Sequence, residues 1–188
     1  MTEKTEREKM LSGELYDANA PELVSARRRA RSLYRRFNAT DDEDEQLAIL
    51  CDLLGRMGAG VSINPPFYVD YGSNIYLGDC VYMNLGCTIL DCAEVRIGDN
   101  VMIGPNVQIY SATHPVEAVL RIAGPELAKP ITIEENVWIG GGAIICPGVT
   151  IGRNTTIGAG AVVTKNIPPN VVAAGNPASV IRVLGVIA

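Results

Sequence analysis

One histidine occurs in the chain, His114, within the stretch "QIYSATHPVEAVLRIAGPELAKPITI" at residues 108–133. An imidazole titrates near neutral pH, and a positioned general base of this kind contributes ~10²–10⁴ in rate. The structural alternative is a loop histidine packed before Pro115, and residue type alone leaves both open. The five cysteines, Cys51, Cys80, Cys87, Cys92 and Cys146, are odd in number and contain no CxxC pair. That favours reduced thiols over a disulfide framework or a zinc site. Arg27, Arg28, Arg29, Arg31, Arg35 and Arg36 form a basic run. It reads either as an RNA-binding patch or as a solvated helix face balanced by nearby acids. The net charge of −5 removes any global attraction to nucleic acid and favours the second reading.

The elements that must position His114 follow from a change of character along the chain. Ten of the 16 Lys and Arg and 12 of the 21 Asp and Glu lie in residues 1–60, whereas 15 of the 19 Gly come later. This places a boundary near "GAGVSINPP", with a cap over 1–60 and a second unit over 61–188. In the cap, Pro21 suits a first helical turn, and Leu23, Ala26, Ala30, Leu33, Tyr34 and Phe37 recur at helical spacing. A second helix is expected at "TDDE", with Thr40 and Glu43 as a capping box and Leu47, Leu50, Leu54 and Met57 as its apolar stripe. The acids Asp41 to Glu45 would sit at its positive end.

From residue 61 a six-residue period takes over. Apolar residues fall at Leu77, Met83 and Ile89, slip by two, and continue at Ile97, Ile103 and Ile109. They resume at Ile133, Ile139, Ile145, Ile151, Ile157 and Val163. A second small or apolar residue lies two before each, from Ile75, Val81 and Cys87 to Val149, Thr155 and Ala161. This period fits a parallel β-helix with three short sides per coil. Its narrow interior explains an aromatic content of only 5%. Ile109 and Ile133 are four hexads apart, so residues 110–130 leave the wall as an excursion and return in phase. Long loops on a rigid scaffold are usually functional.

The hexads, together with "GELYDA", "DYGSNI", "YMN", "ATHPV" and "VWIGGGAIICPGVTIG", resemble the maltose and galactoside O-acetyltransferase family over nearly the whole chain. The hexads are weakly specific; "GELYDA" joined to "YMN" and "THP" is much more so. The resemblance implies an all-β left-handed parallel β-helix with a small N-terminal α-helical cap. It also implies a homotrimer with active sites between subunits, acetyl-CoA as co-substrate, a sugar hydroxyl as acceptor, and no required metal. The hand comes from the resemblance alone, against the usual crossover rule.

On the same grounds His114 is the catalytic base and Asn84 stabilises the developing oxyanion, where one donor is worth ~10²–10³. Asn84 also reads as a turn asparagine at a coil corner. Gly141 replaces a serine of some relatives, so only its backbone N–H carries over, to the oxyanion or the thioester. Asp17, Asp70, Tyr82 and Asn84 are implied to bind the acceptor; Asp70 reads equally as a turn former before Tyr71 and Gly72. CoA falls to Gly141, Ala159, Thr164, Lys165 and Arg182, with Lys165 and Arg182 suited to phosphates. A solvated turn is the plainer reading of Lys165. Ser179 replaces one arginine of the family's tail. Cys92 stands where galactoside-type members carry an acid, which leans toward the maltose branch. Trp138 reads as packing, at a coil wall or between subunits.

Other readings are weaker. Relatives of the same scaffold that acetylate an antibiotic, a serine or an amino-sugar usually lack "GELYDA". A zinc centre of three histidines is impossible with one. A binding solenoid would show regular threonine faces and no excursion. The polar start "MTEKTEREKM" and the lack of any ~20-residue apolar run point to the cytoplasm.

Overall fold

The computed structural model describes residues 3–185; the last three residues of the expected C-terminal tail lie outside the described residues. Three parallel sheets enclose a triangular prism. Sheet 1 stacks Ser62–Ile63, Tyr82–Met83, Met102–Ile103, Trp138–Ile139, Thr156–Ile157 and Val171–Ala174. Sheet 2 stacks Phe67–Val69, Cys87–Leu90, Gln108–Tyr110, Ile144–Ile145 and Val162–Val163. Sheet 3 stacks Ile75–Leu77, Val95–Ile97, Ile131–Ile133 and Thr150–Ile151. The chain visits sheets 1, 2 and 3 in turn on every coil, and a bridge from Arg56 to Tyr76 carries sheet 3 back to the end of the cap.

The six-residue period is the cause of this shape. Both inward positions of each hexad are buried, none more than 2% exposed from Ile75 and Leu77 to Ala161 and Val163. Each large side chain so buried contributes about 1.5–3 kcal/mol. Thr155 is the polar member of the column, and its hydroxyl donates to Pro168 O at 2.9 Å. The corner between sheets 3 and 1 needs a left-handed residue, which asparagine tolerates. Asn100, Asn136, Asn154 and Asn170 supply it at φ 56° to 59°. Their amides bond in a ladder at 3.2, 3.0 and 2.9 Å.

The corner between sheets 2 and 3 is swollen. Ser62 pairs with Tyr82 and Tyr82 with Met102, twenty residues per coil, whereas Trp138 pairs with Thr156, eighteen residues on. The extra residues lie at Asp70–Asn74 and Asp91–Glu94, and the excursion leaves from the same corner one coil above. That excursion is structured: Ala112–Thr113 pairs antiparallel with Leu127–Ala128, and a short helix covers Ala118–Ile122.

Among the described residues, three helices form the cap. α1, Glu6–Ser12, went unread within the charged start of the sequence; there Thr5 and Glu8 make a reciprocal capping box at 3.2 and 2.8 Å. α2, Pro21–Phe37, buries Leu23, Ala30, Leu33 and Phe37. Asn38 brackets Phe67 with two bonds of 2.8 and 3.0 Å, which fixes the cap on the first coil. α3 spans Glu43–Leu53, and its N-cap is Asp42, not Thr40. The Asp42 carboxylate accepts from Asp44 and Glu45 N–H, while the Thr40 hydroxyl accepts only from Asp42 N–H. The expected stripe is also corrected. Ile49, Leu50 and Leu53 face the core, Leu47 is 51% exposed, and Leu54 and Met57 lie beyond the helix. No described helix is long and apolar enough to cross a membrane.

Candidate active site

The chemistry-bearing residues fall into two groups on opposite edges of sheet 2. The four-residue strand Cys87–Leu90 separates them by about 13 Å, at ~3.3 Å per residue.

The first group lies on sheet 1 and its corner with sheet 2. Tyr82, Met102, Trp138, Thr156, Val172 and Arg182 follow one another in register on the outer face. Tyr82, Met102 and Trp138 are 37%, 52% and 52% exposed, so Trp138 lies on the outer wall. The Tyr82 hydroxyl accepts from Asn64 Nδ2 at 2.9 Å. Asn84 follows at the corner. Its Oδ1 accepts from Leu85 N–H at 2.8 Å, and its N–H₂ has no partner among the described residues. Two coils above, Gly141 O accepts from Gly160 N–H at 3.0 Å, and Gly141 N–H is likewise unused among the described residues. A Cβ on Gly141 would come within 3.1 Å of Pro105 O. With Gly140, Gly142, Ala159 and Gly160 the corner is a smooth shelf of small residues, in which Gly140, Gly142 and Gly160 N–H bond within the coils. Asn84 and Gly141 stand roughly 10 Å apart, at ~4.8 Å per coil. Within one chain they are therefore too far apart to bond the same atom.

The second group lies at the swollen corner. Asp70 is half-buried and takes no part in the turn that follows it. That work belongs to Asp91, fully buried, which accepts from Tyr71 N–H at 2.8 Å and Asn74 N–H at 3.2 Å. The Asp70 carboxylate is thereby left for other partners: Cys92 Sγ donates to it at 3.5 Å. Burial raises the Asp70 carboxyl, against Cys92 and Arg27, which lower it. Burial and then Asp70 push the Cys92 thiol far above its usual range, so it stays protonated and unreactive. Cys87, an inward residue, is lifted to about 11 by burial.

Arg27 leaves the solvated face that its run suggests. Its guanidinium donates to the Tyr71 hydroxyl at 2.6 Å and to Ala18 O at 2.5 Å. Arg29 and Arg36 pair with Asp52 and Glu45. Tyr16 is 1% exposed, and its hydroxyl donates to Glu126 at 3.0 Å. With Met10, Leu23, Tyr71, Cys92, Ala93 and Ala128 it forms a second apolar cluster that anchors the excursion to the cap. His114 leaves this anchor as an exposed residue, with Pro115 buried beneath it. Asp17, exposed, lines a small cleft of about 280 Å³ with Gly124 and Pro125 of the excursion. Thr164 and Lys165 are exposed at the same corner, above the excursion. Ser179 and Arg182 lie on the exposed strand that folds back over sheet 1.

Asp17, Asp70 and His114 thus gather at one corner, and Tyr82, Asn84, Gly141, Ala159 and Arg182 at the other. Reading the sequence missed Asp91, Arg27, Tyr16 and Glu126. Only the two-residue slip after Ile89 pointed to any of them.

Two family models match the chain. The maltose acetyltransferase hexapeptide capping motif covers residues 9–58, and the bacterial transferase hexapeptide (six repeats) covers residues 130–165. Nodulation protein L of Rhizobium meliloti is 51% identical over 179 residues, 94% of this chain and 98% of its own. A maltose O-acetyltransferase from Clostridium difficile superposes with a TM-score of 0.96 at 49% identity, covering 98% of this chain and 100% of that one. A galactoside acetyltransferase in complex with coenzyme A does so at 0.94 and 42% identity, covering 97% and 92%. Cap, solenoid and likeness over nearly the full length agree: the chain belongs to the maltose/galactoside O-acetyltransferase family of hexapeptide-repeat acetyltransferases.

Proposed function

We propose that the protein transfers an acetyl group from acetyl-CoA to a hydroxyl of a sugar, maltose- or glucose-like or a galactoside, with His114 as general base. The observation that carries this reading is the split of the site. His114, Asp17 and Asp70 lie at one corner of the prism and Tyr82 and Asn84 at the other. One chain cannot close them on a single substrate. The excursion also exposes Val116, Val119 and Ile122 at 86%, 83% and 82%, a surface suited to burial against a second copy. A homotrimer with sites between subunits would join the His114 edge of one protomer to the Asn84 edge of its neighbour.

The chemistry follows from the groups. The acceptor hydroxyl gives its proton to His114 as its oxygen attacks the thioester carbonyl. The side-chain N–H₂ of Asn84 receives the developing oxyanion. The tetrahedral intermediate collapses, the carbon–sulfur bond breaks, and the imidazolium returns the proton to the leaving thiolate. The products are the sugar acetyl ester and CoA. Gly141 N–H and the shelf at Ala159 accommodate the thin pantetheine arm, while Arg182 of the same protomer and Thr164 and Lys165 from the His114 corner of its neighbour meet the phosphate end. The register column from Tyr82 to Arg182 spans five steps, about 24 Å at ~4.8 Å each, which suits an extended cofactor. Asp70, left unused by its own turn, joins Asp17 and Tyr82 in binding sugar hydroxyls.

His114→Ala tests the reading. Acetylation of a free sugar, read as released thiol, should fall by ~10²-fold or more, with CoA affinity and melting temperature near wild type. Wild-type turnover in that variant would remove the imidazole from the mechanism. Light scattering should give a trimer, and a monomer would contradict the shared site.

A further inference from the structure

The two arms of the excursion end their pairing next to a histidine on one side and a carboxylate on the other. Thr113 pairs with Leu127 and Ala112 with Ala128, and Lys129 N–H donates to Ser111 O at 2.9 Å. The paired segments end at Thr113 and Leu127; His114 and Glu126 are the next residue of each, and the same register carried one step further sets them opposite one another. Tyr16 adds a third strand position on the far side. Its N–H donates to Glu126 O at 3.2 Å, and Glu126 N–H donates to Tyr16 O at 3.0 Å. Both backbone groups of Glu126 are thus turned away from His114. In an antiparallel ladder that makes His114 and Glu126 an unbonded pair, the kind with Cα atoms ~4.5 Å apart and side chains closest. Directly opposite residues share a face. Carried on in this way, the register aligns His114, Glu126 and Tyr16, of which Tyr16 and Glu126 are joined directly through their side chains.

The far end of the row is fixed. Tyr16 is buried, and burial pushes its hydroxyl far above the usual phenol range, so it remains a donor; it holds Glu126 Oε2 at 3.0 Å. Oε1 accepts no hydrogen bond among the described residues. His114 forms no ion pair there either, and it lies at the exposed edge that a second subunit would cover.

We propose that Glu126 is a positioning residue for His114: its carboxylate, held by Tyr16, accepts from the imidazole Nδ1–H and leaves Nε2 to take the acceptor's proton. The same charge then faces the imidazolium while it holds that proton. This rests on the reading of His114 as the base. It explains why the sugar-binding corner contains a buried tyrosine that touches no acceptor group itself.

The single histidine makes the test direct, because protein labelled with ¹⁵N-histidine gives one imidazole signal per chain. At a pH where the ring is neutral, the wild type should show chiefly the Nδ1–H tautomer. Glu126→Ala should shift the population toward Nε2–H and lower kcat by at least about tenfold, with KM for acetyl-CoA within about twofold. Glu126→Gln, which keeps an acceptor oxygen, should recover part of both. Tyr16→Phe, which frees the carboxylate and keeps the ring, should give a smaller change in the same direction. Wild-type tautomer and kcat in Glu126→Ala would overturn the proposal. If His114→Ala kept its activity, the base reading would fall, while the tautomer signal would still decide whether Glu126 holds the ring.

Discussion

The corner between sheets 1 and 2 and the corner between sheets 2 and 3 turn the same chain through the same angle with opposite means. At the first, Gly140, Gly141, Gly142, Ala159 and Gly160 keep the upper coils tight, and Gly141 N–H is left without a partner among the described residues. At the second, the two lower coils each take extra residues, and the space is filled with Asp70, Asp91, Cys92, Tyr71 and Arg27 before the excursion emerges. The tight corner is a shelf defined by what it lacks. The swollen corner is a polar cluster set against a second core shared by the cap, the corner and the excursion. Cap and excursion are therefore one device. Without α1 and Tyr16, Glu126 would lose the strand partner that holds the return arm.

The difference is broken most severely from inside the wall. Ile145 is fully buried between the two corners in sheet 2. Ile145→Ala should cost about 2–5 kcal/mol by chemical denaturation, because a close-packed prism cannot collapse around the cavity. A loss under 1 kcal/mol would show that the coils slide to fill it. At the tight corner the reverse pattern is expected. Asn84→Ala should lower kcat by ~10²–10³-fold with melting temperature nearly unchanged, since its amide bonds only the adjacent Leu85 N–H. A stability loss matching the activity loss would make Asn84 a structural corner residue instead.

The same contrast explains what could be read from the sequence. The wall was legible throughout, because each hexad obeys a local rule and every inward position it names is buried. The tight corner was legible through its glycines and the asparagine after Met83. The swollen corner was not. Asp91 stands only as the start of a two-residue slip, and its role depends on backbone donors seventeen and twenty residues earlier. Arg27 lies in a run whose other members Arg29 and Arg36 pair on the surface, and nothing local marks the one that turns inward. Thr40 failed as a cap because the helix starts two residues later than its position requires, and there the Asp42 carboxylate accepts from Asp44 and Glu45 N–H. Contacts between the cap and the excursion, such as Tyr16 with Glu126, span 110 residues and follow from no period.

Asp91 offers a way to sharpen the comparison. Burial lifts its carboxyl to about 6, although the N–H groups of Tyr71, Gly72 and Asn74 pull it down. An acid raised above its ordinary value near 4 binds its proton more tightly folded than unfolded. Its contribution to stability is then largest below about pH 4, falls as the pH climbs to about 6, and is level beyond. Asp91→Ala orphans the backbone donors, at roughly 1–3 kcal/mol each. The stability gap to wild type should be widest near pH 4 and narrow by up to roughly 3 kcal/mol by pH 6.5. A gap that widened with pH would mean that the backbone donors win and the carboxyl lies below its ordinary range.

The smallest effect is expected at the third corner, where neither swelling nor chemistry intrudes. Asn136 accepts from Asn100 Nδ2 and donates to Asn154 Oδ1, in the left-handed conformation at φ 59°. Asn136→Asp keeps tolerance for that backbone and keeps the acceptor, but it cannot donate to Asn154. The ladder is solvent-exposed, so water can replace the lost partner. Unfolding should show a loss of about 0.5–1.5 kcal/mol, with kcat and both KM values unchanged. A change in kcat would mean that this corner is coupled to the other two through the coils, and that the prism does not insulate its site from its scaffold.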